Sequence, residues 1–152
     1  MIGTPTGGAA AQSTEHLTAE LRILLHARQY NTAFEKALNT RNYQLVTWLC
    51  KEAGDSGLND IFGQTCPLTQ VCLLVLIQQL GWDLATDLKL KLQWMQSAAI
   101  YINPRDPSIQ SYLRQTVESV VRSLGQAVAN PANSPFIRDL RLLTVTLEKL
   151  VA

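Results

Sequence analysis

A chain of 152 residues with 13 Lys and Arg against 12 Asp and Glu has a formal net charge of +1, which lacks the strong basic footprint of a dedicated nucleic-acid binder. Apolar residues make up 47% and charged residues only 16%, against roughly 25% charged in an average globular chain, so the length suits one domain with its own core. Twelve glutamines supply part of the missing polarity, a surface that suits contact with other proteins and equally suits a fragment of a larger chain.

In chain order, residues 1–12, "MIGTPTGGAAAQ", read as a flexible tail or the end of a linker. They show no basic stretch leading into an apolar one, so no secretory signal is expected. A single all-helical domain is expected over residues 13–152. Ser13 or Thr14 serves as its first N-cap, with Glu15 in the first turn. Leu17, Leu21, Leu24 and Leu25 recur at helical spacing. After a break near Arg28 to Asn31, Tyr30, Ala33, Phe34, Ala37 and Leu38 do the same. Asn42 can cap a third helix carrying Leu45, Val46 and Leu49, and Gly54 ends it. "GDSGLNDIFGQT" then reads as a loop with one short helical turn around Leu58 to Phe62.

"CPLTQVCLLVLIQQLG", Cys66 to Gly81, holds the most apolar run of the chain. Pro67 suits a first helical position and Gly81 suits the residue past the end. The span between them falls short of the roughly 20 residues that cross a bilayer. A helix that is apolar on every side is buried, so this is the central core helix, with a buried strand at "LLVLI" as the structural competitor. The next helix, about Leu84 to Tyr101, carries two apolar stripes and therefore packs on two sides. Asp106 with Pro107, and Ser134 with Pro135, read as cap and first-turn proline of two further helices. About seven helices result. Tight turns and two-sided interior helices favour an all-α fold, an α-α superhelix of antiparallel pairs of the armadillo/HEAT kind, over a compact irregular bundle.

Chemistry is sparse. Cys50, Cys66 and Cys72 form no C-x-x-C pair and lie among apolar residues. They are expected to be reduced and metal-free, as in cytosol or nucleus. His16 and His26 stand ten residues apart and make no pair on one helix face. Asp83 and Asp87 are spaced for a cation, but a helix first turn is the simpler account. Arg114, Glu118 and Arg122 read as a solvated ion-paired face. No G-x-S-x-G, Walker, H-E-x-x-H or G-x-G-x-x-G pattern occurs. The expectation is a protein that is not an enzyme, with no catalytic residues and no cofactor. The stretch "RQYNTAFEKALNTR" combines Arg28, Asn31, Phe34, Glu35 and Lys36, residue types that anchor protein interfaces. The competing reading is that Tyr30 and Phe34 face the core.

"YNTAFEKAL", "LVTWLC", "IFGQTCPLTQ", "LLVLIQQLGWDL" and "TDLKLKLQWMQSA" resemble the C-terminal domain of the enhancer-of-mRNA-decapping scaffold family, also called Hedls. The resemblance covers about Tyr30 to Asp106 well and Pro107 to Ala152 more weakly. It implies a large protein with an N-terminal WD40 region, a low-complexity middle and a C-terminal α-α superhelix. It implies a non-catalytic scaffold of 5′-to-3′ mRNA decay, cytoplasmic and targeted to processing bodies. The implied partners are protein components of the decapping and decay machinery, with self-association; the charge balance argues against direct RNA binding and the length of the apolar run against a membrane. Phe62, Leu68, Leu73, Leu74, Leu76, Ile77 and Leu80 are expected in the core. Arg28, Asn31, Phe34, Glu35 and Lys36 are expected at the partner surface, and Trp82 and Trp94 are unassigned. A helical-repeat RNA-binding module is the alternative function, although no periodic array of arginines and aromatics is evident.

Overall fold

Short connections and capping side chains divide the chain into seven α-helices and one 3-10 helix. The computed structural model describes residues 6–152, with side chains from Glu15 onward. The helices are α1 (Thr6–His26), α2 (Tyr30–Asn39), α3 (Tyr43–Ile61), α4 (Gln70–Leu80), α5 (Leu88–Ile100), α6 (Leu113–Ala129) and α7 (Ile137–Leu150). The 3-10 helix Pro131–Phe136 leads into α7, and no strand occurs among the described residues.

Contacts follow chain order in two layers. Helices α2, α4 and α6 pack successively in one, and α1, α3, α5 and α7 in the other, while consecutive helices other than α5 and α6 pack across. That alternation is the α-α superhelix of antiparallel pairs read from the sequence.

Local chemistry sets the joints. Arg28 adopts φ 59, and the amides of Arg28 and Gln29 donate to the carbonyls of Leu25 and Leu24 at 3.0 and 2.9 Å. This is a Schellman closure of α1 with arginine where glycine is common. Asn42 caps α3, its side chain accepting from the Leu45 amide at 3.2 Å, a contact worth about 1 kcal/mol. Gly54 breaks α3 with φ 66 and ψ −169, a conformation that glycine reaches without steric cost. Helical structure resumes after it up to Ile61, so the segment expected to be mostly loop is mostly helix.

Four further expectations about helix starts change. Ser13 and Thr14 lie inside α1, whose bounds begin at Thr6. The alanines before them are good helix formers and extend a helix nucleated downstream, so residues 6–12 are not a tail, while residues 1–5 lie outside the described residues. Pro67 precedes α4 rather than opening it. Thr69 caps that helix, its hydroxyl accepting from the Cys72 amide at 3.2 Å. Asp106 caps a turn through Ser108 at 2.9 Å, and α6 begins only at Leu113. Asn130 caps the 3-10 helix and Pro135 lies within it, so Ser134 does not open α7.

Helix α4 is the centre. It packs against α2, α3, α5 and α6, and Cys72, Leu73, Leu74, Leu76, Ile77 and Leu80 are buried. Leu68 is buried beside them, and Phe62 is half-buried against the same core. Only Val71 and Gln78 reach the surface fully. Gly81 ends α4 at φ −74, so no left-handed turn requires it. A Cβ there would lie 3.2 Å from Met95 Cε and 3.3 Å from Val120 Cγ1; glycine lets α4, α5 and α6 converge. Trp94, 1% exposed, packs at a tilt on Phe34 at 5.6 Å and edge-to-face with Phe62 at 5.8 Å. Gln70 locks the far end of α5. Its Nε2 donates to the Tyr101 carbonyl at 2.9 Å and its Oε1 accepts from the Asn103 amide at 2.6 Å.

Burial also ranks the thiols. It pushes Cys72 up to about 12, helped by the charges of Glu35 and Cys66. It raises Cys50 as well, against the charge of Lys91. Half-buried Cys66 is raised by burial too, offset partly by the Leu68 amide.

Three outcomes are expected. In urea titrations, Leu76→Ala costs about 2–5 kcal/mol, whereas Val71→Ala, on the exposed edge of the same helix, costs below about 1 kcal/mol; similar losses would remove α4 from the centre. Trp94→Ala costs about 3–5 kcal/mol and Trp82→Ala about 1 kcal/mol or less, measured by circular dichroism. With iodoacetamide at pH 8, Cys66 is alkylated first and Cys50 and Cys72 react only on unfolding, because the thiolate is the nucleophile; equal rates for all three by mass spectrometry would contradict this ranking.

Candidate interaction surface

The residues expected at a partner surface divide by helix face. Phe34 is 0% exposed and shares its face of α2 with Tyr30, Ala33, Ala37 and Leu38, all buried. It belongs to the core under Trp94 and cannot touch a partner. Asn31 is half-buried and serves the fold. Its Oδ1 accepts from the Thr69 amide and its Nδ2 donates to Glu35 Oε1, both at 3.0 Å. It thereby ties α2 to the cap of α4. Arg28, Glu35 and Lys36 are exposed. Lys36 pairs with Glu20 at 2.8 Å and, by hydrogen bond and charge, holds that carboxyl below its ordinary range.

A second feature is a cleft that no sequence pattern assembles. It has a volume of about 370 Å³ and draws on three segments. The first turns of α3 supply Tyr43, Gln44, Thr47, Trp48 and Lys51; α4 supplies Gln79; the α4–α5 connection and α5 supply Asp83, Thr86, Asp87 and Lys91. Thr47, Gln79 and Lys91 are buried and form the floor. Contrary to expectation, Asp83 and Asp87 are not a first-turn pair of α5. Asp83 caps a turn, accepting from the Ala85 amide at 3.0 Å and the Thr86 hydroxyl at 3.3 Å. Asp87 stands at the start of α5 with φ 52 and makes no side-chain cap; it pairs with Lys51 at 3.0 Å.

Trp82, outside the cleft, is 72% exposed and stands edge-on to Tyr43 of the cleft at 5.7 Å. Trp48, on another wall, carries the Arg22 guanidinium at 5.3 Å from its ring. Lys91 is 4% exposed. Its Nζ donates to the Asp83 carbonyl and, at 3.2 Å, to Thr86 Oγ1. Burial lowers its affinity for a proton, and the carboxylates of Asp83 and Asp87 oppose that shift. The signal in the sequence was the i, i+4, i+8 face Tyr43–Thr47–Lys51; what it lacked was the packing of that face beside residues 82–87.

Elsewhere, Val71, Val75 and Tyr112 line a groove between α4 and α6, and Leu142 and Val145 stand exposed on α7. Arg114, Glu118 and Arg122 form no ion pair among the described residues; Arg114 donates instead to the Val151 carbonyl at 2.9 Å. No cluster of three His, Cys, Asp or Glu suited to a metal occurs among the described residues, and no described helix is long and apolar enough to cross a membrane.

Comparison with known proteins places the fold. Residues 21–143 match the family described as Enhancer of mRNA-decapping protein 4, C-terminal. Enhancer of mRNA-decapping protein 4 of Danio rerio is 33% identical over 150 residues, 98% of this chain and 10% of the relative. The Homo sapiens protein is 31% identical over the same shares. The Drosophila melanogaster homolog is 33% identical over 129 residues, 84% of this chain and 9% of the relative. The chain thus spans about 10% of the length of its first relatives. The crystal structure of the conserved C-terminal region of Ge-1 matches with TM-score 0.75 and 25% identity, over 88% of this chain and 95% of that one. The chain belongs to the family of C-terminal domains of enhancer of mRNA-decapping protein 4.

Proposed function

We propose that this domain is a non-catalytic protein-interaction module of an mRNA-decapping enhancer. In this reading it acts in 5′-to-3′ mRNA decay in the cytoplasm and carries its protein to processing bodies through contacts with decapping and decay factors. Family membership supplies the process. The observation that carries the interaction role is Trp82, an aromatic left 72% exposed against Tyr43 of the cleft. Tryptophan and tyrosine on a surface are the usual anchors of protein interfaces. Arg28, Glu35 and Lys36, exposed on the α1–α2 corner, offer a second contact edge, and self-association is part of the same reading. The near-neutral charge gives little of the counterion-release affinity that RNA binding relies on.

The test is recovery of decapping factors from cytoplasmic extract on the immobilised domain, with and without nuclease, read by mass spectrometry. Nuclease-resistant recovery is expected. The double variant Arg28→Gly, Lys36→Gln is expected to reduce it with an unchanged circular dichroism spectrum, since glycine suits φ 59. Recovery abolished by nuclease would replace this function with RNA binding, and undiminished recovery by the double variant would clear the corner of a role.

A further inference from the structure

The most buried helix of the fold leaves one edge unpartnered. On α4, Val71 is 38% exposed, Val75 is half-buried and Gln78 is exposed. Across from that edge α6 presents Tyr112, 41% exposed, and farther along the same face Arg122, also exposed. These two stripes wall a groove of about 430 Å³ that Leu74 floors. The Tyr112 hydroxyl is already spent, donating to the Ser108 carbonyl at 2.5 Å, so what this residue offers the groove is its ring.

The groove has two unlike ends. Helices α4 and α6 lie in one layer and run parallel, and the end of α4 meets the middle of α6, since a Cβ on Gly81 would lie 3.3 Å from Val120 Cγ1. At about 1.5 Å of rise per residue, Val71, Leu74, Val75 and Tyr112 fall at one end and Gln78 and Arg122 at the other. Val71 and Gln78 are about 10 Å apart along the axis by the same rise. The charge is one-sided as well. No acidic residue lines the groove. Arg122 makes none of the ion pairs among the described residues, and Glu118, one turn before it, lies outside the lining.

That asymmetry selects an occupant. A basic segment would meet Arg122 with no acid to offset it. A wholly apolar one would cover a guanidinium without pairing it, which costs free energy. RNA would find a single cation where backbone binding needs several. A segment with apolar side chains and one carboxylate on the same stripe satisfies both ends. Two parallel helices side by side leave a furrow that the side-chain ridges of a third helix fill, and the length is that of about two turns. Amphipathic helices dock in such furrows through anchors at i, i+3 or i+4, and i+7.

We infer that the α4–α6 groove is a docking site for an amphipathic helical segment of a partner protein, its apolar residues seated against Val71, Val75 and Tyr112 and an Asp or Glu farther along the same stripe facing Arg122. This rests on the interaction reading above and gives that reading a place and a ligand chemistry.

The domain by itself is the reagent, since the matching region of Ge-1 crystallised as a region of its own and the core here is one continuous cluster. The probe is a random-sequence phage library of peptides about 16 residues long, roughly four helical turns, followed by fluorescence anisotropy with the synthetic peptides it enriches. Those peptides are expected to share apolar residues one turn apart with a carboxylate farther along the same face, and to gain helical circular dichroism on binding. Val71→Glu weakens binding about 10- to 100-fold, as for the loss of one buried apolar anchor. Arg122→Glu weakens it about 3- to 10-fold, and a Lys in place of the peptide carboxylate restores binding to that variant alone. Arg141→Glu, the same charge reversal on exposed α7, leaves binding unchanged. Val71 and Arg122 are surface positions, so both variants keep the circular dichroism spectrum of the parent domain. Binding that survives both groove variants would overturn the inference, as would enriched peptides that bind without becoming helical, or no enrichment at all. Amide shifts at Val71 and Tyr112 with an oligouridine and none with peptide would assign the groove to RNA instead. A dimer in sedimentation that Val71→Glu dissolves would assign it to a second copy of this chain. Nuclease-resistant recovery of decapping factors alongside any of these failures would leave the interaction function standing and remove only the groove's occupant. Helical peptide binding without such recovery would keep the groove and remove that function.

Discussion

Past Gln70, helix α4 buries all but the edge formed by Val71, Val75 and Gln78, and the rest of the fold is arranged around that constraint. Its neighbours are α2 and α6 in its own layer and α3 and α5 in the other. Each fully buried Leu or Ile contributes roughly 1.5–3 kcal/mol, so a run of buried residues here outweighs any single surface interaction in the chain. Its polar exceptions are used as fasteners. Gln70 closes the end of α5 through Tyr101 and Asn103, and Gln79 reaches the Leu38 carbonyl of α2. The low proportion of charged residues follows from the same geometry, because interior helices packed on two sides expose little surface that charge would need to solvate.

The helix count, the chain-order stacking and the core were legible because they depend on periodicity. Even the fate of Phe34 was written there: Tyr30, Ala33, Phe34, Ala37 and Leu38 share one face, and Glu35 and Lys36 lie off it. Reading the residue types of that stretch as an interface patch, without its helical register, put an aromatic of the core on the surface. Helix starts were less legible. Proline tolerates a first helical turn but fits loops equally, and at Pro67 and Pro107 the loop prevailed while Thr69 and Tyr112 took the N-cap positions. The cleft was not legible at all. It joins α3 to residues more than thirty positions away across the buried face of α4, and no local pattern encodes that juxtaposition.

Three locally unfavourable features fall in this cleft or on its wall. Asp87 is a non-glycine residue with φ 52, a conformation that costs roughly 1–2 kcal/mol. Lys91 is a cation taken almost wholly out of water, held by one carbonyl and one hydroxyl. Gln79 keeps an acceptor without a protein donor. A core built only for stability replaces such groups with apolar ones of similar volume, and the neighbouring α4 positions Leu76, Ile77 and Leu80 show that this chain does so freely. Such departures are not confined to this cleft: Arg28 and Arg41 also have positive φ, and Gln96 Oε1 is likewise buried without a partner.

The rigidity of the surroundings decides what kind of binding such a site can perform. Tyr43 and Lys51 stand on α3 behind the Asn42 cap, Gln79 is fixed through its own amide, and Asp83 is held by two hydrogen bonds within its turn. The cleft is therefore lined by side chains already held in place, which lowers the ordering cost of any contact made there. The exposed Trp82 indole adds contact area with few torsions to freeze. A superhelix whose stacking holds these three segments together presents the cleft without any rearrangement of its helices.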